Sequence, residues 1–207
     1  VTKTVDLRRP FAQLNLGINQ AEYDAAKAAG IVVANTEIKV SNVYSNFSAY
    51  DNAVAAGAQE GELTFAMNAI PAEKLEVDVN RDGVINENTE KFHYLALNYL
   101  LVGDSLQEKK LTDVEFRWEN EDGSKTNTPA TTFINIPVQR NYRTNIIGNL
   151  ITSPATFNIV IDERFESETD PSKRDYIVIE EDGTTKAIIN KVEDLQDALN
   201  NATGNTI

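Results

Sequence analysis

The run Phe92-His93-Tyr94-Leu95-Ala96-Leu97-Asn98-Tyr99-Leu100-Leu101-Val102 is the most apolar stretch of the chain, and whether it is helix or strand decides the fold. Its Leu and Ala content suits a helix. Its two tyrosines, its phenylalanine and its valine suit a pleated, packed surface, and Gly83 upstream and Gly103-Asp104 downstream bound it. Length does not separate the two readings; the aromatic content and the glycine boundaries do, and they predict a strand.

Upstream of this run, Glu62–Met67 reads as a further strand, and residues 45–61, small and polar with scattered apolar side chains, read as a loop with one helical turn. Thr36-Glu37-Ile38-Lys39-Val40 alternates with Ile38 and Val40 inward. Near the start, Phe11-Ala12-Gln13-Leu14-Asn15-Leu16-Gly17 places Ala12, Leu14 and Leu16 on one face, the pattern of a half-buried strand. Asn19 then offers a helix cap with Glu22 three residues later, Ala25, Ala26, Ala28 and Ala29 favour helix, and Gly30 stops it.

Downstream, strands are expected over residues 113–119, 132–138, 141–151, 156–161, 176–179 and 185–189, with Glu-Asp-Gly turns at 121–123 and 181–183. That recurrence has the spacing of a β-sandwich, so the fold class is all-β with minor α. Residues 166–173, polar and carrying Pro171, form the best linker candidate, which places the main domain at 1–165 and a linker with the start of a further module at 166–207. In that extension Val192, Leu195, Ala198 and Leu199 share a helical stripe, which either folds back on the main domain or opens a second module.

Composition narrows the function. Across 207 residues, 19 Lys+Arg against 32 Asp+Glu give a net charge of −13, which argues against nucleic acid or an anionic membrane as partner. The absence of cysteine removes disulfides, thiolate catalysis and cysteine zinc sites, and a single histidine removes His-cluster metal sites. No apolar stretch approaches the ~18 residues of a membrane span. The chain starts at Val1 without Met, so a processed form is expected, and a signal peptide or lipid anchor upstream of Val1 would be invisible.

The sharpest local motif is Asp78-Val79-Asn80-Arg81-Asp82-Gly83-Val84-Ile85-Asn86. It matches the first nine positions of an EF-hand-like calcium loop, in which Asp78, Asn80 and Asp82 with the carbonyl of Val84 would supply four oxygens. Position twelve is Thr89, and Glu90 arrives one residue late, so the closing bidentate carboxylate is missing. The plain alternative is a polar hairpin tip in which Asp-Gly makes the turn and the Asx side chains satisfy local amides. No other cofactor is expected.

His93 is the only imidazole, yet no nucleophile signature accompanies it and no Gly-x-Ser-x-Gly elbow or phosphate loop exists, so it reads as an ordinary sheet histidine and the chain as non-catalytic. Asp104-Ser105-Leu106 resembles the acceptor tripeptide for O-glycosylation of exported Bacteroidetes proteins, a pattern short enough to arise by chance. Arg8-Arg9 beside a strand resembles a maturation cleavage site; its plain reading is a pair of solvated charges.

Two segments together resemble the fimbrillin-like surface proteins of Bacteroidetes: Leu7–Gly17, read as LRRPFAQLNLG, and Val138–Thr152, with its Arg140-Asn141-x-Arg143-Thr144-Asn145-Ile146-x-Gly148 core. Tyr94–Leu101 looks like the middle strand of the same group. The resemblance implies a Greek-key β-sandwich, export by a lipoprotein route and display at the outer membrane as a pilus subunit or anchored adhesin. Its implied partners are other pilin subunits or a host or bacterial surface receptor, engaged by strand pairing along a sheet edge and by loop-borne contacts. A surface carbohydrate-binding module of a glycan-uptake system is the alternative, with Trp118, Tyr23 or Tyr44 as stacking platforms. Trp118 shares strand parity with Val114 and Phe116, however, which assigns it to the core.

Overall fold

The computed structural model describes residues 9–51, 53–104, 107–152, 156–162, 176–179 and 185–189. Two compact units divide the chain, Val1–Glu163 and Arg164–Ile207. The first is an all-β sandwich with one short helix. Its strands are β1 (Ala12–Ile18), β2 (Val33–Val43), β3 (Phe47–Ser48), β4 (Ala53–Val54), β5 (Gly61–Ala69), β6 (Lys74–Glu76), β7 (Lys91–Leu100), β8 (Lys109–Asn120), β9 (Thr131–Val138), β10 (Arg143–Asn149) and β11 (Thr156–Asp162), with α1 (Gln20–Ala28) between β1 and β2.

One sheet has the order β11-β10-β1-β7-β6 and the other β5-β2-β8-β9. Strands distant in sequence are therefore neighbours, the over-and-back wiring of a Greek-key arrangement. β1 runs antiparallel to β7 and parallel to β10, with Leu14 opposite Thr144 and Leu16 opposite Ile146. The core lies between the sheets: Leu14, Leu16, Ile18, Leu95, Leu100 and Ile146 of one meet Ile38, Val40, Val114, Phe116, Phe133 and Ile136 of the other. Alternation is what delivers this, because each strand places every second residue on the inner face.

Four local readings are revised. Among the described residues of 45–61 there is no helical turn; Phe47–Ser48 and Ala53–Val54 pair as a small hairpin. β6 lies in a stretch read as no element, since three residues are too few to show a period. β1 is buried on both faces, because its second face is covered as well: Gly17 sits against Leu75 and Phe92, members of a smaller cluster with Val77 and Ile147. Gln13 and Asn15 on that second face join a ladder in which Gln13 Nε2 donates to Asn15 Oδ1 (2.9 Å), Asn15 Nδ2 to Asn145 Oδ1 (2.8 Å) and Asn145 Nδ2 to the Val160 carbonyl (3.2 Å), while Gln13 Oε1 is buried without a partner.

The fourth revision concerns α1. Asn19 Oδ1 accepts from the Glu22 amide at 2.8 Å, as an N-cap does, but the Glu22 carboxylate does not return to the cap. It is buried and accepts from the amides of Ile151 and Thr152 and from the Thr152 hydroxyl, tying the helix to the segment after β10. At the other end Gly30, at φ +71°, completes a Schellman turn: its amide donates to the Lys27 carbonyl and the Ile31 amide to that of Ala26.

In the second unit β12 (Tyr176–Ile179) and β13 (Thr185–Ile189) pair antiparallel, Tyr176 opposite Ile189. The linker candidate at 166–173, the turn at 181–183 and the apolar stripe from Val192 to Leu199 lie outside the described residues.

Candidate functional site: a bare sheet edge beside an apolar groove

Four strands end the two sheets: β6 and β11 in one, β5 and β9 in the other. An edge strand presents unpaired amides and carbonyls, and proteins ordinarily blunt it. β6 is three residues long. β9 contains Pro137, which lacks an amide, and Asn135 in the left-handed region at φ 56°. β11 and β5 have neither device, and the pairing of β5 with β2 shifts register twice. β5 is nine residues long, contains no proline and no lysine, and is exposed at every position but Leu63 and Phe65.

Beside this edge the sandwich is open. A groove of about 580 Å³ runs between β5 and β7, with Ile38, Phe65, Met67, Pro71 and Ala96 as its apolar wall and Thr36, Asn68 and Asn98 as polar members. Asn98 Oδ1 is buried there without a hydrogen-bond partner, and Met67 is 37% exposed. On the same side β6 covers β7 only from Lys91 to His93, and the Thr36 hydroxyl donates to the Leu95 carbonyl at 2.6 Å. Among the described residues no strand lies outside β5. The arrangement offers main-chain groups along a line and apolar pockets beneath it, which are the two things an added strand uses.

The residues of the calcium motif lie in the connection from β6 to β7. Asp78 accepts from the amides of Asp82 (3.1 Å) and Gly83 (2.8 Å), Asn80 Oδ1 from that of Asp82 (3.0 Å), and Asp82 Oδ1 from that of Val84 (2.8 Å). Glu90, 2% exposed, accepts from the amides of Val79 (2.8 Å), Asn80 (3.2 Å) and Asn86 (2.8 Å). The Val84 side chain is exposed. The carboxylates thus hold the loop through its own amides, with Glu90 as its anchor. Among the described residues no group of three or more His, Cys, Asp or Glu is placed to hold a metal ion.

His93 is stacked on Tyr23 with ring centroids 3.9 Å apart and planes at 3°, and its Nε2 contacts Lys74 Nζ and Gln20 Oε1. Burial, and then the Lys74 charge, hold its pKa below the ordinary imidazole value, against a smaller opposing pull from Asp24. Burial likewise lowers Lys74. The stacked pair borders an apolar recess of about 350 Å³ lined by Ile18, Ala26, Ile70 and Leu95.

The aromatic platforms resolve differently from one another. Trp118 is 5% exposed and belongs to the core. Tyr23 is the partner of His93, and Tyr44 lies under Lys109 Nζ, 5.1 Å from its ring centroid, so one face of each ring is occupied. The aromatic that stands free is Tyr50, 98% exposed at the tip of the β3–β4 hairpin, which composition and alternation do not single out. Of the short motifs, Asp104 caps the Val54 amide, while Ser105 and Leu106 lie outside the described residues, as does Arg8; the Arg9 carbonyl accepts from Arg140 Nε.

The three segments that carry the family resemblance are spatial neighbours. They supply β1, β10 and β7, adjacent strands of one sheet. Within the middle of the second segment, Asn141 takes φ 70° and its amide donates to the Phe11 carbonyl, Arg143 pairs with Asp162, and the Thr144 hydroxyl donates to the Pro137 carbonyl at 2.7 Å. The Arg143 and Thr144 side chains thus join β10 to β11 and β9, while the Asn141 main chain ties the turn before β10 to the residue before β1.

The fold defines the class: a β-sandwich domain with an exposed β5 edge beside an apolar groove. A family model described as a family of unknown function, DUF6562, matches residues 1–199, and the chain belongs to that family. No curated protein and no solved structure matches it.

Proposed function

We propose that this chain is a non-catalytic structural and adhesive domain of a fimbria-like cell-surface protein, exported and held at the outer membrane through a lipid anchor, whose partners are other subunits or a surface receptor. The observation that carries the reading is the bare β5 edge beside the apolar groove. An extended segment laid there gains main-chain hydrogen bonds from the edge and places alternate side chains against Ile38, Phe65 and Met67. The contiguity of β10, β1 and β7 supports the family resemblance, because the resembling segments make one sheet rather than scattered matches.

The test is polymer formation by the full-length precursor after proteolytic maturation, followed by electron microscopy. Polymers should form, and Met67→Lys, which places a charge in the groove at an exposed position, should suppress them without changing the far-ultraviolet circular dichroism. Polymers indifferent to Met67→Lys overturn the edge reading. A second reading, a carbohydrate-binding module, rests on Tyr50 standing free at a hairpin tip. Glycan-array binding abolished by Tyr50→Ala, in a chain that forms no polymer, would favour it.

A further inference from the structure

His93 Nε2 stands between two neighbours with opposite needs. Lys74 Nζ, a donor while it is an ammonium, contacts it from β6, and Gln20 Oε1, an acceptor, contacts it from α1 at 2.9 Å. The Gln20 amide is not free to exchange its ends, because its Nε2 donates to Asp24 Oδ1 at 3.0 Å and a flip would set oxygen against carboxylate. An Nε2 lone pair accepts from Lys74 and leaves Gln20 Oε1 without a proton. An Nε2–H serves Gln20 and leaves the Lys74 ammonium facing a hydrogen. Among the described residues no carboxylate bonds either side chain: Asp24 acts on both through space, and Glu73 stands exposed at the rim. The cluster is therefore one acceptor short, and the acceptor belongs at Lys74.

The space beside it sets the rest of the ligand. His93, stacked on Tyr23, borders the recess of about 350 Å³, at the small end of ligand-sized pockets. We infer that this recess binds an amphiphile with a single carboxylate head, the head on Lys74 and the chain against Ile18, Ala26, Ile31, Ile70 and Leu95. With the carboxylate on Lys74, His93 carries its proton on Nε2 and donates it to Gln20 Oε1, so all three groups are matched.

Glu73 and the net charge of −13 work against an anion. Affinity thus rests on burying the chain together with the one local cation, and a bare anion without a chain should not be held. The site is independent of the β5 edge reading, which its failure would leave untouched.

The purified chain is titrated with sub-micellar octanoate, octanol and acetate, followed by calorimetry and proton magnetic resonance. It has one histidine, so the imidazole signals belong to His93. Saturable octanoate binding is expected, with weaker binding of octanol and none of acetate. Octanoate alone should move the His93 titration midpoint upward, since an anion at Lys74 relieves the repulsion that opposes imidazole protonation. Lys74→Gln, at an exposed position, should weaken octanoate at least about tenfold, the worth of one hydrogen bond to a charged group, and leave octanol unchanged. Glu73→Gln should tighten octanoate about twofold. Far-ultraviolet circular dichroism checks that both variants and the liganded chain keep the fold. Octanoate bound no better than octanol, octanoate affinity unchanged in Lys74→Gln, or a His93 midpoint that stays put at saturation overturns the inference, as does the absence of binding.

Discussion

Glu90 sits one residue beyond the position where a calcium loop would close, and that displacement explains its role. From the foot of β7 its buried carboxylate reaches back to accept from three amides on both limbs of the loop. Glu90→Ala leaves those donors without an acceptor, and each buried unmet group costs about 1–3 kcal/mol. Relaxation of the loop toward water recovers part of that, so a net loss of about 2–4 kcal/mol is expected, measured as a shift in the urea midpoint at unchanged m. His93 has a pH signature. Its folded pKa is depressed, so the unfolded imidazole, titrating near 6.5, takes up a proton that the folded one refuses. Its contribution to stability is complete above about pH 6.5 and is lost as pH falls toward the lower folded value. The drop in Tm between pH 7.5 and pH 5.5, values on either side of about 6.5, should therefore be smaller in His93→Gln than in the parent.

At the scale of elements, β1 shows how context changes a strand that alternation describes correctly. Ala12, Leu14 and Leu16 do share a face, but Gly17 on the opposite face touches β6 and β7: a Cβ there would lie 2.8 Å from Leu75 Cδ2 and 3.1 Å from Phe92 Cβ. Gly17→Ala should destabilise by about 1–3 kcal/mol, the usual cost of overpacking, read by thermal or urea unfolding. The loop from β6 to β7 supplies a second test. Its Asp78, Asn80, Asp82 and Glu90 oxygens are engaged by loop amides, so the melting curve should coincide in chelator and in millimolar calcium. A rise of Tm with calcium would show a ligand bound by the native state. The long strands were readable because seven or more residues display a period of two; β6 and the β3–β4 hairpin were not, because two or three residues display none. The Asp78–Asn86 spacing was equally readable, but which amides those carboxylates meet depends on Glu90 and on the approach of β7.

At the scale of the molecule, one core between two sheets carries the stability of the sandwich. Phe116, wholly buried on β8 and opposite Ile38 on β2, lies at its centre, and Phe116→Ala should cost about 3–5 kcal/mol through lost burial and the cavity left behind. Calorimetry of the full chain should show a correspondingly lower Tm for the transition of the sandwich. The amino-acid pattern by itself determined that the sandwich is all-β and that a capped helix follows its first strand, since alternation, capping residues and turn glycines act over a few neighbouring residues and need no knowledge of the rest. Composition likewise determined which chemistries the chain lacks, cysteine thiolates and histidine clusters. Tertiary structure alone decided that β1 lies parallel to β10, that Glu22 serves the segment after β10 rather than its own cap, and that β5 ends its sheet beside the groove. A strand's amides and carbonyls are the same whatever its side chains, so which edge stays open is settled by the order in which the sheets assemble, and that order is a property of long-range contacts.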